Sequence, residues 1–204
     1  MMFPLNLVKF TTAFSDFSGS KEALDLMKLS ILDWAAVGIS GRTELVSKAV
    51  FDMISDERGS PESFVFGSKS RVPARSAALS NGVSSHALDY DDTNFLYLGH
   101  PSVVVNSAVF AVANKVNLPL KTAIECSLIG CEVTTRMGIW LGKEHYNKGF
   151  HITSTAGVFG AAMGSCRALG LSENEVKNAL NLAASKASGL KIQFGSMGKP
   201  YHAG

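Results

Sequence analysis

The sequence has no long apolar run, no block of one charge and few cysteines, and each lack removes a class of protein. Its longest apolar stretch, residues 103–112, is broken by Asn106 and falls far short of the roughly 20 residues that a membrane helix needs. Lys and Arg are scattered and the formal net charge is only +2, so the basic stripe of a nucleic-acid binder is missing. Cys126, Cys131 and Cys166 form no CxxC pair, and their odd number argues against a disulfide framework or a zinc site. They read as small buried hydrophobes of a chain kept in a reducing compartment. The first residues, MMFPLNLVKF, carry Lys9 inside their apolar stretch and lack a small-residue cleavage site, so they do not read as a signal peptide. A cytoplasmic protein with neither a membrane nor a nucleic-acid partner is the expectation.

What is present is a globular composition, 46% apolar and 18% charged, arranged as helix after helix. Ser20 stands as an N-cap before Leu24, Met27, Ile31 and Ala35, a 3.6-residue stripe that Gly41 closes. A second helix is predicted from about Thr43 to Glu57. After the GSPES turn, Phe64 to Gly67 is the one strand-like piece. Further helices are predicted over Ala74 to Leu88, Pro101 to Asn117, Leu120 to Leu141 and Thr153 to Leu169. Ser172 with Glu175 forms a capping box that starts another, reaching Lys186 and stopped by Gly189. The fold class is therefore all-α, a multi-helix domain with no internal repeat or linker. The sequence stops at KPYHAG with no predicted terminal helix, which reads as a domain cut short: residues 1–204 as a partial helical domain truncated at its carboxy-terminal end.

Three segments carry an ionisable or hydroxyl residue from a loop directly into a helix start. HALDYDDTNFLYLGHPS brings Asp89, Asp91, Asp92 and Thr93 before His100 and Pro101. GFHITSTAGVFGAA crowds His151, Thr153, Ser154 and Thr155 at a helix N-terminus. GSMGKPYHAG sets Ser196 and Lys199 among glycines. Unpaired N–H groups and a positive partial charge suit such places to carboxylates, and a His there tends to stay neutral and accept a proton. Taken singly, each has a plainer meaning. DYDD alone is a solvated acidic turn, His100 a helix cap, and His151, His86 and His145 structural histidines. The acidic run also lacks the pattern and glycine of a Ca²⁺ loop, so no metal is assigned. The functional reading rests on the three segments together.

Those segments, AALSNGVSSHALDYDDT, GHPS, GFHITSTAGVFGAA, ALNLAASKASGL and GSMGKPYHAG, together with KLSILDWAAVGISGR, resemble the MmgE/PrpD family in order and spacing over nearly the whole chain. The family's activities include 2-methylcitrate dehydration, cis-aconitate decarboxylation and iminodisuccinate epimerisation. The resemblance implies a large helical domain, a smaller α+β lid domain absent from this chain, a homodimer when full length, and a cleft that uses neither metal nor cofactor. It places family site residues on Asp89, Thr93, His100, His151 and Lys199. Between Thr93 and His100 the stretch NFLYLG differs in length from the family decarboxylase's, and Asn94 stands where the dehydratase has tryptophan.

The expected function is a metal-independent lyase of dehydratase type acting on a small di- or tricarboxylic acid of the 2-methylcitrate kind. His100, His151 and Lys199 would be catalytic, with Asp89, Thr93, Thr153 and Ser196 binding substrate. Lys199 would stabilise the charge that develops when a proton leaves the carbon beside a carboxylate. An epimerase, other isomerase or decarboxylase is the alternative within the family. A catalytically inactive helical remnant or interaction module is the alternative outside enzymes. Residues 1–204 alone are expected to turn over little, because a lidless site is open to water.

Overall fold

The computed structural model describes residues 2–15, 17, 20–57 and 59–204, and the regular structure of the described chain is helical apart from one two-stranded hairpin. In chain order come α1 (Met2–Ala13), α2 (Lys21–Gly41), α3 (Leu45–Asp56), a hairpin of β1 (Ser63–Phe64) and β2 (Arg71–Val72), then α4 (Ala74–His86), α5 (Pro101–Val116), α6 (Leu120–Asn147), α7 (Ile152–Ala168), α8 (Glu173–Lys186) and α9 (Gly198–Ala203). The antiparallel pair joins Ser63 to Val72 and Phe64 to Arg71, so the strand-like piece lies a little earlier than Phe64 to Gly67 and has a partner.

Most helix boundaries follow from local chemistry. The capping box at Ser172 forms with both reciprocal bonds, Pro101 opens α5 at its first position, and Asn117 ends α5 in the left-handed conformation (φ +52°). α6 breaks at Gly142 (φ +73°), one residue after the predicted end at Leu141, and then resumes to Asn147. Two helices lack a sequence signal. α1 is held from outside, where the Arg167 guanidinium donates to the carbonyls of Thr11, Thr12 and Phe14, the orphan acceptors at its C-terminal end. α9 corrects the expectation of a chain without a terminal helix: its Pro200 and Ala203 are buried and it packs on α4.

The core has an apolar seam and a central polar helix. α6 and α7 make the most extensive helix contact, and small residues set its closeness. A Cβ on Gly160 would collide with Thr134 Oγ1 and the Gly130 carbonyl, and one on Gly164 would lie 2.6 Å from Val109. Val133, Ile152, Ala156, Met163 and Val176 fill the seam between α6, α7 and α8. α4 packs against α2, α3, α5 and α9, and its Ser76, Ser80, Asn81, Ser84, Ser85 and His86 are all buried. Such small side chains allow one helix to be surrounded without a volume clash. On its α2 side, Trp34 packs between Phe66 and Phe110 at centroid distances of 4.8 and 5.2 Å and donates to Ser107 Oγ at 2.9 Å.

Candidate active site

The carboxy-terminal end of α4, the loop of residues 87–100 and the first turns of α5, α7 and α9 meet in one place. α4 stops because Asp89 turns into the left-handed region (φ +57°), which the short polar Asp side chain tolerates. Tyr97, only 4% exposed, then pins the loop against α6, where its ring occupies the space that a Cβ on Gly138 would need. Asp92 ties the loop to two helices. It accepts from Ser30 Oγ of α2 at 2.7 Å and, at the start of α5, from Ser102 Oγ at 2.6 Å and Ser102 N at 3.3 Å. A carboxylate thus caps α5 from nine residues upstream of its first residue, and His100, which occupies the cap position, is left with its ring free for other contacts.

That ring sits in a cluster of titratable groups. Nδ1 of His86 lies 2.9 Å from both Asp91 carboxylate oxygens, and Nδ1 of His100 lies 3.2 Å from Asp91 Oδ2 and from the Asp91 carbonyl. Carboxylate and carbonyl oxygens only accept, so both imidazoles donate through Nδ1. Nε2 of His100 is 3.6 Å from Asp89, whose same oxygen accepts from Lys199 Nζ at 2.5 Å. His86 stacks on His151 with centroids 5.9 Å apart and meets the edge of His100 at 4.8 Å. On its other side His151 faces His202, Nδ1 to Nδ1 at 3.3 Å, and the edge of Phe194, over which Lys199 also sits.

The two predicted histidines are shifted in opposite directions. Burial opposes charge on His100, but the hydrogen bond and negative charge of Asp91 outweigh it and raise its pKa above the ordinary value. Burial lowers the pKa of His151 to about 3, helped by the neighbouring His86, His202, Lys199 and His100, so His151 is neutral at physiological pH. Asp91 would be raised by its own burial, yet His100 and His86 hold its carboxyl at about 2. Asp89 likewise stays ionised against partial burial because of Lys199.

His100, His151, Lys199 and Asp89 therefore converge, although they lie up to 110 residues apart in sequence. Thr153 supports them indirectly, its Oγ1 accepting the His100 backbone N–H at 3.1 Å. Beside the cluster opens a cavity of about 350 Å³ lined by Lys199, Asp89, Ser196 and His86, with Leu45, Val46 and Met197 giving it an apolar side. Ser196 Oγ donates within its own turn to Gln193. Thr93 is exposed and is not part of that lining. His100 and His151 are not on the wall either and reach the cavity through His86 and Asp89. His86 and His202 were missed in the sequence. The signal available for His86 was a histidine ending an Ala/Ser helix five residues before an aspartate; His202 had none beyond its closeness to Lys199.

His86, Asp89, Asp91 and His100 also bring four metal-type ligand atoms within 4.8 Å of one another. They are paired internally, the two imidazoles with Asp91 and the Lys199 ammonium with Asp89, which leaves a cation no unopposed carboxylate. Among the described residues no helix is long and apolar enough to cross a membrane.

A family model described as the MmgE/PrpD N-terminal domain matches residues 6–204. Curated relatives include cis-aconitate decarboxylase of Homo sapiens, 31% identical over 184 residues, which are 87% of this chain and 38% of that protein. The Mus musculus enzyme of the same name is 30% identical, covering 87% of this chain and 37% of its own. That of Aspergillus terreus is 28% identical over 142 residues, 66% of this chain and 29% of its own. The chain thus spans under two-fifths of the length of these relatives.

Proposed function

This chain belongs to the MmgE/PrpD family, and on that premise we propose that it supplies the proton-transfer half of a lyase site for a small di- or tricarboxylic acid, without a metal or other cofactor. The observation that carries the reading is His100 held against Asp91 and a buried, neutral His151 within one cluster, next to a cavity that presents the Lys199 ammonium. A substrate carboxylate takes the ammonium from Asp89, which is 55% exposed and free to swing away. Ser196, on the cavity wall, offers a further hydroxyl to the bound acid. His151 accepts the proton from the carbon beside a carboxylate, and His100 returns one to the leaving hydroxyl. Dehydration needs both an acid and a base, which favours the hydro-lyase reading. Lys199 stabilises the negative charge that builds up between those two steps.

Decarboxylation is the second reading, favoured by the name shared by the relatives. There the bond to CO₂ breaks in place of a C–H bond, and only the acid His100 is needed to protonate the carbon. Homodimerisation and a cytoplasmic location complete the proposal.

The deciding experiment incubates the chain, and any longer product of its reading frame, with citrate-, aconitate- and aspartate-derived acids in D₂O. Deuterium at the carbon beside a carboxylate together with loss of water supports the hydro-lyase, and CO₂ release supports the decarboxylase. Lys199→Met is expected to cut turnover by about 100-fold, the scale of losing one donor to a developing anion. Neither exchange nor product from any acid would leave a helical interaction module as the better account.

A further inference from the structure

The Asp91–His86 pair has no part in the steps above, yet it is the most deeply buried ionisable pair of the cluster, with both side chains at 0% exposure. A buried carboxylate is strongly destabilising unless it is well paired. Here its partners are two imidazoles, where a structural pair would more commonly use Arg or Lys. His86 meanwhile leaves Nε2 buried with no hydrogen-bond partner among the described residues, and so does His151. Orphaned buried nitrogens of this kind destabilise a fold. Two of them on stacked rings mark a place where the packing serves geometry at the expense of stability.

We propose that Asp91 and His86 are the positioning pair of this site: Asp91 orients the His100 ring, and His86, clamped by Asp91, sets the separation between His100 and His151. The pair acts through those two histidines and touches no reacting atom. With Asp91 in place His100 holds its proton more tightly than a free imidazole. His86 touches both rings, edge to face with His100 and stacked on His151, and so fixes how far apart they stand. The groups facing His100 are His86 of α4, Asp89 and Asp91 of the loop, His151 of α7 and, through Asp89, Lys199 of α9. Among them Asp91 is the anion in hydrogen-bond contact, so its loss should act on His100 first.

This inference builds on the acid and base roles given to His100 and His151, but its test needs no substrate. The chain has five histidines, few enough to assign every imidazole in a ¹⁵N spectrum by single His→Gln variants. In the unmodified chain, His86 is expected as the Nδ1–H tautomer, and His100 should titrate above His145, which bonds Thr155 away from the cluster. Asp91→Asn should lower the His100 midpoint by about one unit, the scale for an opposite charge at this distance, and leave His145 in place. His86→Gln should spare the His100 midpoint and move that of His151. Where turnover is measurable, Asp91→Asn should shift the basic limb of the pH–rate profile to lower pH and reduce kcat more than it raises KM. An Nε2–H tautomer of His86, or an unmoved His100 in folded Asp91→Asn, overturns the proposal. Should Asp91→Asn fail to fold, the tautomer and the order of midpoints in the unmodified chain decide. The expected titrations in a chain that acts on no polycarboxylate would retain the positioning pair and reject the lyase reading alone.

Discussion

Along α7 the middle turns lie against α6 and α5 through glycine, with Gly160 on Gly130 of α6 and Gly164 against Val109 of α5, whereas at its start Thr153 bonds the 87–100 loop and His151 packs on His86 of α4 and His202 of α9. The glycine seam is apolar, and its energy comes from contact without direction. The histidine end is held by pairs whose members must be both present and correctly protonated. One helix thus joins a region that tolerates no added atom to a region that tolerates no lost partner. The difference explains how the site can hold orphaned imidazoles: the seam a turn and a half away fixes the helix, so the polar end need not stabilise it.

The largest effect that would sharpen this contrast is expected at the seam. Gly160→Leu should destabilise the fold by about 3 kcal/mol through overpacking, even though leaving glycine would favour an exposed helix by up to about 1 kcal/mol. Urea unfolding measures it, and an unchanged midpoint would mean that the two helices are not held at the separation described.

At the histidine end the lever is pH. His151 titrates at about 3 in the folded chain against an ordinary 6.5, so between those values the unfolded chain binds the extra proton and stability falls as pH drops. His100 runs the other way: its raised pKa contributes stability that is full below about 6.5 and is lost as pH climbs through its folded value. Lowering pH from 7 to 5 should therefore cost about 2 kcal/mol through His151, less whatever His100 returns. In His151→Gln that acid loss should shrink. Equal pH dependence in the two proteins would remove the buried neutral imidazole from the account.

The smallest effect tests whether the loop is held as described. Asp92→Ala removes the acceptor of Ser30 and the cap of α5, and should cost about 1–2 kcal/mol in a thermal or denaturant melt. It should leave the Gly160 seam intact, which the amide exchange of α6 and α7 would report. A loss spread over those helices would show that the two regions are not separable.

How legible all this was in the sequence depended on whether the signal was local. The capping box at Ser172, Pro101 at the head of α5 and the break after Leu141 are backbone chemistry within a few residues, and each was read within a residue or two. α1 was not readable because its docking comes from Arg167, more than 150 residues away. α9 was missed because six residues carry no periodicity.

For the site, the sequence by itself determined which segments carry chemistry, since a polar loop running into a helix start presents unpaired N–H groups wherever it folds. It also determined the family, because ordered motifs over residues 6–204 are a property of the chain and not of its packing. Only the tertiary structure decided how the environments of the histidines differ. His100 has its pKa raised because Asp91 is folded against it, and His151 is neutral because burial opposes its charge. His86 passes from a structural histidine to the ring that touches both, on one distance to Asp91 and its contacts with their rings. Protonation is set by dielectric and by neighbours within a few ångströms, and neither exists until the chain has brought α4, α5, α7 and α9 together.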